Sequence, residues 1–248
     1  MTENIGRDFM EYTKYQHLPP APQTEGLPQP PLQIDPSPDD TSFALPKPLE
    51  IEMPSIDLRQ AIQQRVSVRR YSQQALTLEE LSMLLWLTQG VKEVTKRPVT
   101  LRTVPSAGAR HAFETYVLAN RVEGLQPGVY RFIAGEHTLV SFDLSDDIAG
   151  RIETACLGQK MITRCAVAFL WTAVVERMTW RYVSRGYRYL HLDAGHVCQN
   201  LYLAGEAMQC GTCAIGAYED DEINPLLGLD GETQFVIYLA TLGKKVLP

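Results

Sequence analysis

The sequence predicts an α+β protein, and three observations carry that expectation. Helix-patterned and strand-patterned segments alternate irregularly, without the repeated strand–helix units of a wound parallel sheet. Residues 114–120 and 128–133 read as strands, and the second runs through a hairpin into residues 137–142. Residues 193–208 form a helical run that is apolar nearly all round, so it is expected to be central.

The totals narrow the class. A chain of 248 residues suits one large domain or two small ones. Hydrophobic residues make up 45% and charged residues 21%, the balance of a globular protein. A net charge of -6 argues against general nucleic-acid binding, which needs a basic footprint. No stretch reaches the roughly 20 apolar residues of a membrane span. The first residues lack the apolar core of a secretion signal, so a cytoplasmic location is expected. Five cysteines, an odd number in apolar surroundings, point to reduced thiols.

Residues 1–54 hold eleven of the sixteen prolines, which favours an extended arm or linker over a core segment. Phe9, Met10, Tyr12, Tyr15 and Leu18 could pin that arm to its own body or to a second subunit. The globular part, residues 55–248, opens with a capped helix that places Leu58, Ile62 and Val66 on one face. Arg65, Ser67 and Arg69 follow on alternate positions of an extended stretch, so all three share a face. Two guanidiniums and a hydroxyl so placed suit a phosphate or another acidic group, although a solvated basic face fits the spacing as well.

Thr77 and Glu80 make a capping box at the start of a core helix that Gly90 closes. Residues 91–104 are polar and read as irregular. Pro105, Ser106, Ala107 and Gly108 are a small-residue cluster that lets backbone approach something flat, or simply forms a turn. A capped helix is expected from Ser145 to about residue 157, and residues 165–172 are an apolar run that predicts a strand buried on both faces. Residues 176–191 read as one helix or two short ones. Their arginines at 177, 181, 185 and 188 gather along one side, as a solvated face or as a wall over an acidic substrate or a nicotinamide phosphate. Residues 210–217 read as a small-residue loop, a short acidic helix follows, and residues 235–241 read as the last buried strand.

No metal is expected. Cys210 and Cys213 lack a second ligand pair, and His191 and His196 are poorly spaced for one ion. Cys198 lies among apolar residues as an inert thiol. There is no nucleophile elbow, no Walker loop and no dinucleotide fingerprint.

Three stretches taken together resemble one known family. They are Arg65, Ser67, Arg69, Arg70 and Tyr71; Pro105 to Gly108; and the run from Asp193 through Ala204 followed by residues 211–217. The set is similar to the FMN-dependent nitroreductase superfamily, and within it to the SagB-type branch of azoline dehydrogenases in its stand-alone form. The resemblance covers roughly residues 55–245. It implies a mostly antiparallel central sheet flanked by helices and an intertwined homodimer with FMN at the subunit interface.

The resemblance further implies roles for single residues. Arg65, Ser67 and Arg69 would hold the phosphate, ribityl chain and pyrimidine edge. Pro105, Ser106, Ala107 and Gly108 would lie along the isoalloxazine of the other subunit's flavin. Gly216 and Ala217 would offer backbone near N5, and Lys244 or Lys245 would complete the phosphate site. Arg181 stands where the branch is similar in carrying a lysine thought to remove a proton. An arginine stays protonated and is a poor base, so Arg181 would bind an acidic substrate or steady negative charge, with Tyr182 as proton donor. The implied activity is hydride transfer between flavin and a small or peptide-derived substrate. The alternatives are an NAD(P)H-dependent nitro- or quinone reductase, with NAD(P)H as electron donor, and a silent scaffold subunit of a biosynthetic complex.

Overall fold

The computed structural model describes residues 4–38 and 40–246. In chain order the elements are α1 (Ile5–Tyr12), β1 (Ser42–Ala44), α2 (Leu58–Gln64), α3 (Leu78–Gln89), β2 (Val91–Val94), β3 (Thr100–Arg102), β4 (Phe113–Ala119), β5 (Gly128–Ile133), β6 (Thr138–Asp143), α4 (Ile148–Ala155), α5 (Met161–Arg164), β7 (Val167–Val174), α6 (Val175–Tyr182), α7 (Gly186–Ala207), β8 (Cys210–Ile215), α8 (Asp220–Leu226) and β9 (Gln234–Lys244).

Seven strands form one sheet in the order β1-β6-β5-β4-β7-β9-β8, and every neighbouring pair is antiparallel. This is the expected α+β class with a large antiparallel sheet. The continuous apolar run on β7 has its predicted cause, because both faces of that strand are covered. Phe169 and Trp171 face the core under α3 and α7, whereas Ala168 and Leu170 face the core under α4 and α8. The Thr77–Glu80 capping box is formed at the start of α3.

Three segments differ from the sequence expectation. Residues 91–104 are not irregular: β2 and β3 pair as a hairpin with a bulge. Residues 210–215 are not a loop but an edge strand, paired with β9 from Cys210↔Lys244 to Ile215↔Leu239. Packing requires the glycine at 211. A Cβ on Gly211 would lie 2.4 Å from the Val68 side chain, so this strand admits the crossing 65–71 segment only with glycine there. The one helix or two short ones expected over 176–191 divide at Val183, and the second part is not separate but continuous with α7, which therefore starts at Gly186 and presents His191, Leu192, Gly195 and His196 to the surface.

The proline-rich segment also lies along the body. Prolines leave carbonyls without partner N–H groups, and the body supplies donors. Trp180 Nε1 donates to the Leu27 carbonyl (3.0 Å), Arg177 Nε to Pro31 (2.8 Å), Arg131 Nη1 to Ile34 (2.6 Å) and Arg185 Nη1 to Thr13 (2.9 Å). β1 then adds to the sheet edge beside β6.

Candidate active site

The 65–71 stretch lies against the end of α7 and the outer edge of β8. Arg65 caps the C-terminus of α2, and the chain then runs extended: Ser67 bridges Thr212, and Val68 N–H donates to the Thr212 carbonyl (2.9 Å). Tyr202 of α7 fixes this register. Its hydroxyl shares a hydrogen bond with Ser67 Oγ (3.0 Å) and accepts one from Ala214 N–H (2.9 Å), while the Arg65 guanidinium sits 5.3 Å from the centre of its ring. Farther along, Tyr71 Oη donates to the Val68 carbonyl and meets Thr241 Oγ1, each at 2.7 Å. Arg65 and Arg69 have no carboxylate partner among the described residues. Arg69 and Ser67 are exposed.

Lys244 and Lys245 follow on β9 and the bridge to Tyr71, but their ammonium groups are engaged. Lys244 pairs with Glu80 and donates to the Met208 carbonyl (3.0 Å); Lys245 pairs with Glu206 (2.6 Å). Gly216 and Ala217 are exposed where β8 runs out, and the Ala217 carbonyl accepts from Gln159 (2.8 Å). β8 thus connects the arginine segment with these two residues.

A second group of predicted residues meets farther along α7. Asp193 is buried in that helix and accepts hydrogen bonds from Ser106 Oγ (2.6 Å) and Ala107 N–H (3.2 Å). Burial raises its carboxyl above the usual aspartate value, and the two hydrogen bonds oppose that. Ser106 Oγ in turn accepts from His111 N–H (2.9 Å). The turn is tightly wound: Gly108, Ala109 and His111 all have positive φ (58°, 52° and 42°). Gly108 lies against the predicted catalytic pair. A Cβ there would stand 2.5 Å from Tyr182 Oη and 3.2 Å from Arg181 Cδ and Nε. Arg181 is exposed and also sits over the Tyr182 ring at 5.6 Å. The turn at Pro105–Gly108 and the pair Arg181–Tyr182, 73 positions apart at their nearest, therefore form one surface.

α7 holds both groups. Asp193 anchors one and Tyr202 the other, nine residues apart, or about 13 Å along a helix. Neither residue was singled out by sequence reasoning. Both lie inside the run that carries the resemblance, but an aspartate and a tyrosine on a mostly apolar helix give no sign of their partners.

Behind the Gly108 turn lies a buried charged cluster that the sequence did not reveal. Arg177 and Glu114, with side chains 2% and 4% exposed, pair at 2.6 Å, and Glu114 also accepts from Ile34 N–H (2.9 Å). Arg110 is buried between the Arg177 carbonyl (2.9 Å), Gln29 Oε1 (3.2 Å) and the Trp180 ring. Arg102 donates to Gln89 Oε1 (3.1 Å). His111 is buried close to Arg102 and Arg110; burial first, then these two cations, pushes its pKa down to about 3, so it is neutral. The arginines at 177, 181, 185 and 188 are thus not a simple solvated face. Arg177, Arg185 and Arg188 bind the N-terminal segment, and Arg181 faces the site.

All five cysteines are free and buried. Burial pushes Cys156, Cys165, Cys198 and Cys210 up to about 12 and raises Cys213, so none is poised as a thiolate. Cys210 and Cys213 sit three positions apart on β8 and point to opposite faces. No helix of the described residues is long and apolar enough to cross a membrane.

The sequence profile described as the nitroreductase family matches residues 62–244, which includes both groups of site residues up to Lys244. The chain belongs to the nitroreductase family. It is therefore an oxidoreductase. A Methanocaldococcus jannaschii protein that carries the name nitroreductase is 35% identical over 201 residues, covering 80% of this chain and 98% of that protein. The trifolitoxin-processing protein TfxB of Rhizobium leguminosarum bv. trifolii is 28% identical over 133 residues, covering 52% of this chain; those residues span only 36% of TfxB. The fold recurs in a nitroreductase-family structure from Desulfovibrio desulfuricans in complex with FMN, at a TM-score of 0.57 and 18% identity, covering 78% of this chain and 88% of that one.

Proposed function

We propose that this nitroreductase-family protein is an FMN-dependent oxidoreductase of the SagB type, acting on a small or peptide-derived substrate at the Gly108–Tyr182 surface. The observation that carries the cofactor assignment is the 65–69 stretch. Two arginines without carboxylate partners among the described residues flank a serine whose hydroxyl is fixed by Tyr202. That donor set fits a dianionic phosphate and its polyol, because guanidinium forks match phosphate oxygens and a fixed hydroxyl serves a neighbouring oxygen. Lys244 and Lys245 would join only by giving up Glu80 and Glu206. The FMN held by the Desulfovibrio protein supports the choice of cofactor.

FMN, when bound, supplies hydride transfer at N5. The chain's own residues bind, orient and move protons. Pro105, Ser106, Ala107 and Gly108 offer a side-chain-poor surface for a flat ring, held in place by Asp193. Gly216 and Ala217 offer exposed backbone at the end of β8. Arg181 keeps its charge and binds an acidic group or steadies negative charge on the substrate, while Tyr182 gives or takes a proton at its hydroxyl.

A homodimer is part of this reading. Leu58 and Ile62 share one face of α2, and Val66 follows in the extended stretch past its end; they are 63%, 56% and 56% exposed, apolar side chains that a second copy would bury. The separation of about 13 Å between the two groups along α7 is compatible with each serving a different flavin of the dimer. The name of the Rhizobium relative supports a peptide-derived substrate. That of the Methanocaldococcus relative supports the second reading, an NAD(P)H-dependent nitro- or quinone reductase.

One experiment separates the two. FMN-loaded protein is mixed anaerobically with an azoline-containing peptide, or with NADH or NADPH, and flavin bleaching is followed. Bleaching by the azoline supports the SagB-type reading. Bleaching by the nicotinamide alone, with reoxidation by a nitroaromatic or quinone, replaces it with the reductase reading.

A further inference from the structure

The turn after α1 reaches the candidate site through a row of tyrosines. Tyr15 and Tyr189 share a hydrogen bond between hydroxyls at 3.0 Å. Arg185 Nε donates to the Tyr189 hydroxyl at 2.9 Å, and its guanidinium lies 4.4 Å from the centre of the Tyr15 ring. Tyr189 then meets Tyr182 edge to face, with centroids 4.7 Å apart at 72°. Tyr182 is the residue that touches Gly108.

The link between Tyr182 and α7 is strained. Val183 has φ 50° and ψ -142°, a conformation that costs a β-branched residue stability and persists only where its surroundings impose it. Val183 N–H itself donates to the Thr179 carbonyl, and just past the turn Arg185 and Arg188 are held by the N-terminal segment. Arg185 Nη1 donates to the Thr13 carbonyl (2.9 Å), Arg188 Nε to Thr13 Oγ1 (2.7 Å), and Arg188 Nη2 to the Met10 carbonyl. Thr13 is buried by these contacts although it lies in the proline-rich segment.

We propose that residues 9–15 are a clamp on the candidate site: they hold the strained Val183 turn and thereby fix Tyr182 against Gly108, with Tyr15, Arg185 and Tyr189 as positioning residues. The segment is then a working part of the site. Its detachment releases Tyr189, relaxes Val183 and frees Tyr182 to leave Gly108. The consequence for turnover rests on the proposed place of Tyr182 in the redox site; the conformational coupling does not.

The test is amide hydrogen exchange across residues 181–186 in the full-length protein. Tyr15→Phe keeps the ring over Arg185 and removes one hydrogen bond, so exchange there should rise about five-fold. Tyr15→Ala also removes the ring and should raise it about ten-fold or more. Gln33→Ala, which deletes a contact to Gly135 N–H from the proline-rich stretch outside residues 9–15, is the control and should leave residues 181–186 unchanged. A second readout is phenolate absorbance. Tyr189 faces Tyr15, Arg185, Arg188 and Tyr182; burial raises its phenol, but the bonds from Tyr15 and Arg185 outweigh that and bring it below the ordinary tyrosine value. In Tyr15→Phe that early titration should move up. Unchanged exchange at 181–186 in Tyr15→Ala overturns the clamp. Raised exchange with unchanged turnover of the FMN-loaded enzyme upholds the clamp and overturns the place of Tyr182 in the chemistry.

Discussion

Replacing Glu114 by alanine should be among the most damaging single changes in this protein, and the structure gives the size of the loss. Glu114 is the partner that the buried Arg177 has at 2.6 Å, and it also accepts from the backbone of Ile34. Arg177 Nη1 already lacks a partner, and Arg110 carries a second such nitrogen. Deleting the carboxylate leaves Arg177 charged, buried and without its counter-ion. Removing one member of a buried pair costs about 3–5 kcal/mol. At about 2–4 °C per kcal/mol for a chain of this size, the melting temperature should fall by about 6–20 °C. Glu114→Gln keeps an acceptor for Ile34 and Arg177 but not the charge, and should lose about 1.5–3 kcal/mol. The double change Glu114→Leu with Arg177→Met removes both charges, so it should recover part of the loss despite forfeiting the bond to the Pro31 carbonyl. The assay is denaturant unfolding at one fixed protein concentration, followed by circular dichroism. A loss below about 1 kcal/mol for Glu114→Ala would refute the argument, since it would mean that water reaches Arg177.

Three further outcomes follow from the site. Gly108→Ala puts a methyl 2.5 Å from Tyr182 Oη at a positive φ; it should cost about 1 kcal/mol of stability and lower turnover through Tyr182, and turnover equal to wild type would place Tyr182 outside the chemistry. Tyr202→Phe leaves Ala214 N–H without its acceptor and Ser67 without its anchor; a loss of about 1–3 kcal/mol and weaker FMN retention are expected, and unchanged retention would remove Tyr202 from the site. His111 is held neutral with a pKa of about 3 against an ordinary value near 6.5, so the unfolded chain binds the proton first. Its contribution to stability is complete above about pH 6.5 and is lost toward pH 3 at about 1.4 kcal/mol per unit. His111→Asn, which tolerates the positive φ, should remove about 2 kcal/mol of the difference between pH 7 and pH 5; identical pH slopes would refute that.

How much of this could be read from the sequence depended on whether a residue's role is local. The capping box of Thr77 and Glu80, the two-sided burial of β7 and the hairpin of β5 and β6 rest on neighbours in the chain, and they are in the structure. β8 reads as a loop in the sequence because Gly211 is there for the sake of Val68, which lies far away in sequence. Residues 91–104 were misread because a polar two-stranded hairpin has no apolar alternation to betray it. In the site, the types and spacing of Arg65, Ser67 and Arg69 were legible, and so was the small-residue turn at Gly108. Their partners on α7, Asp193 and Tyr202, were not. The arginines at 177, 185 and 188 looked like a charged surface because their acceptors are backbone carbonyls of a proline-rich segment, which no residue pattern marks.

The central claim is that the 65–69 stretch holds FMN. The most direct measurement is the visible absorption spectrum of the purified protein after incubation with FMN and removal of the unbound excess, beside that of Arg65→Ala. The account predicts a stoichiometric flavin spectrum in the wild type and loss of most of it in Arg65→Ala, with an unchanged far-ultraviolet circular dichroism spectrum. A wild-type protein that retains no flavin, or an Arg65→Ala variant that retains as much as the wild type, would contradict it.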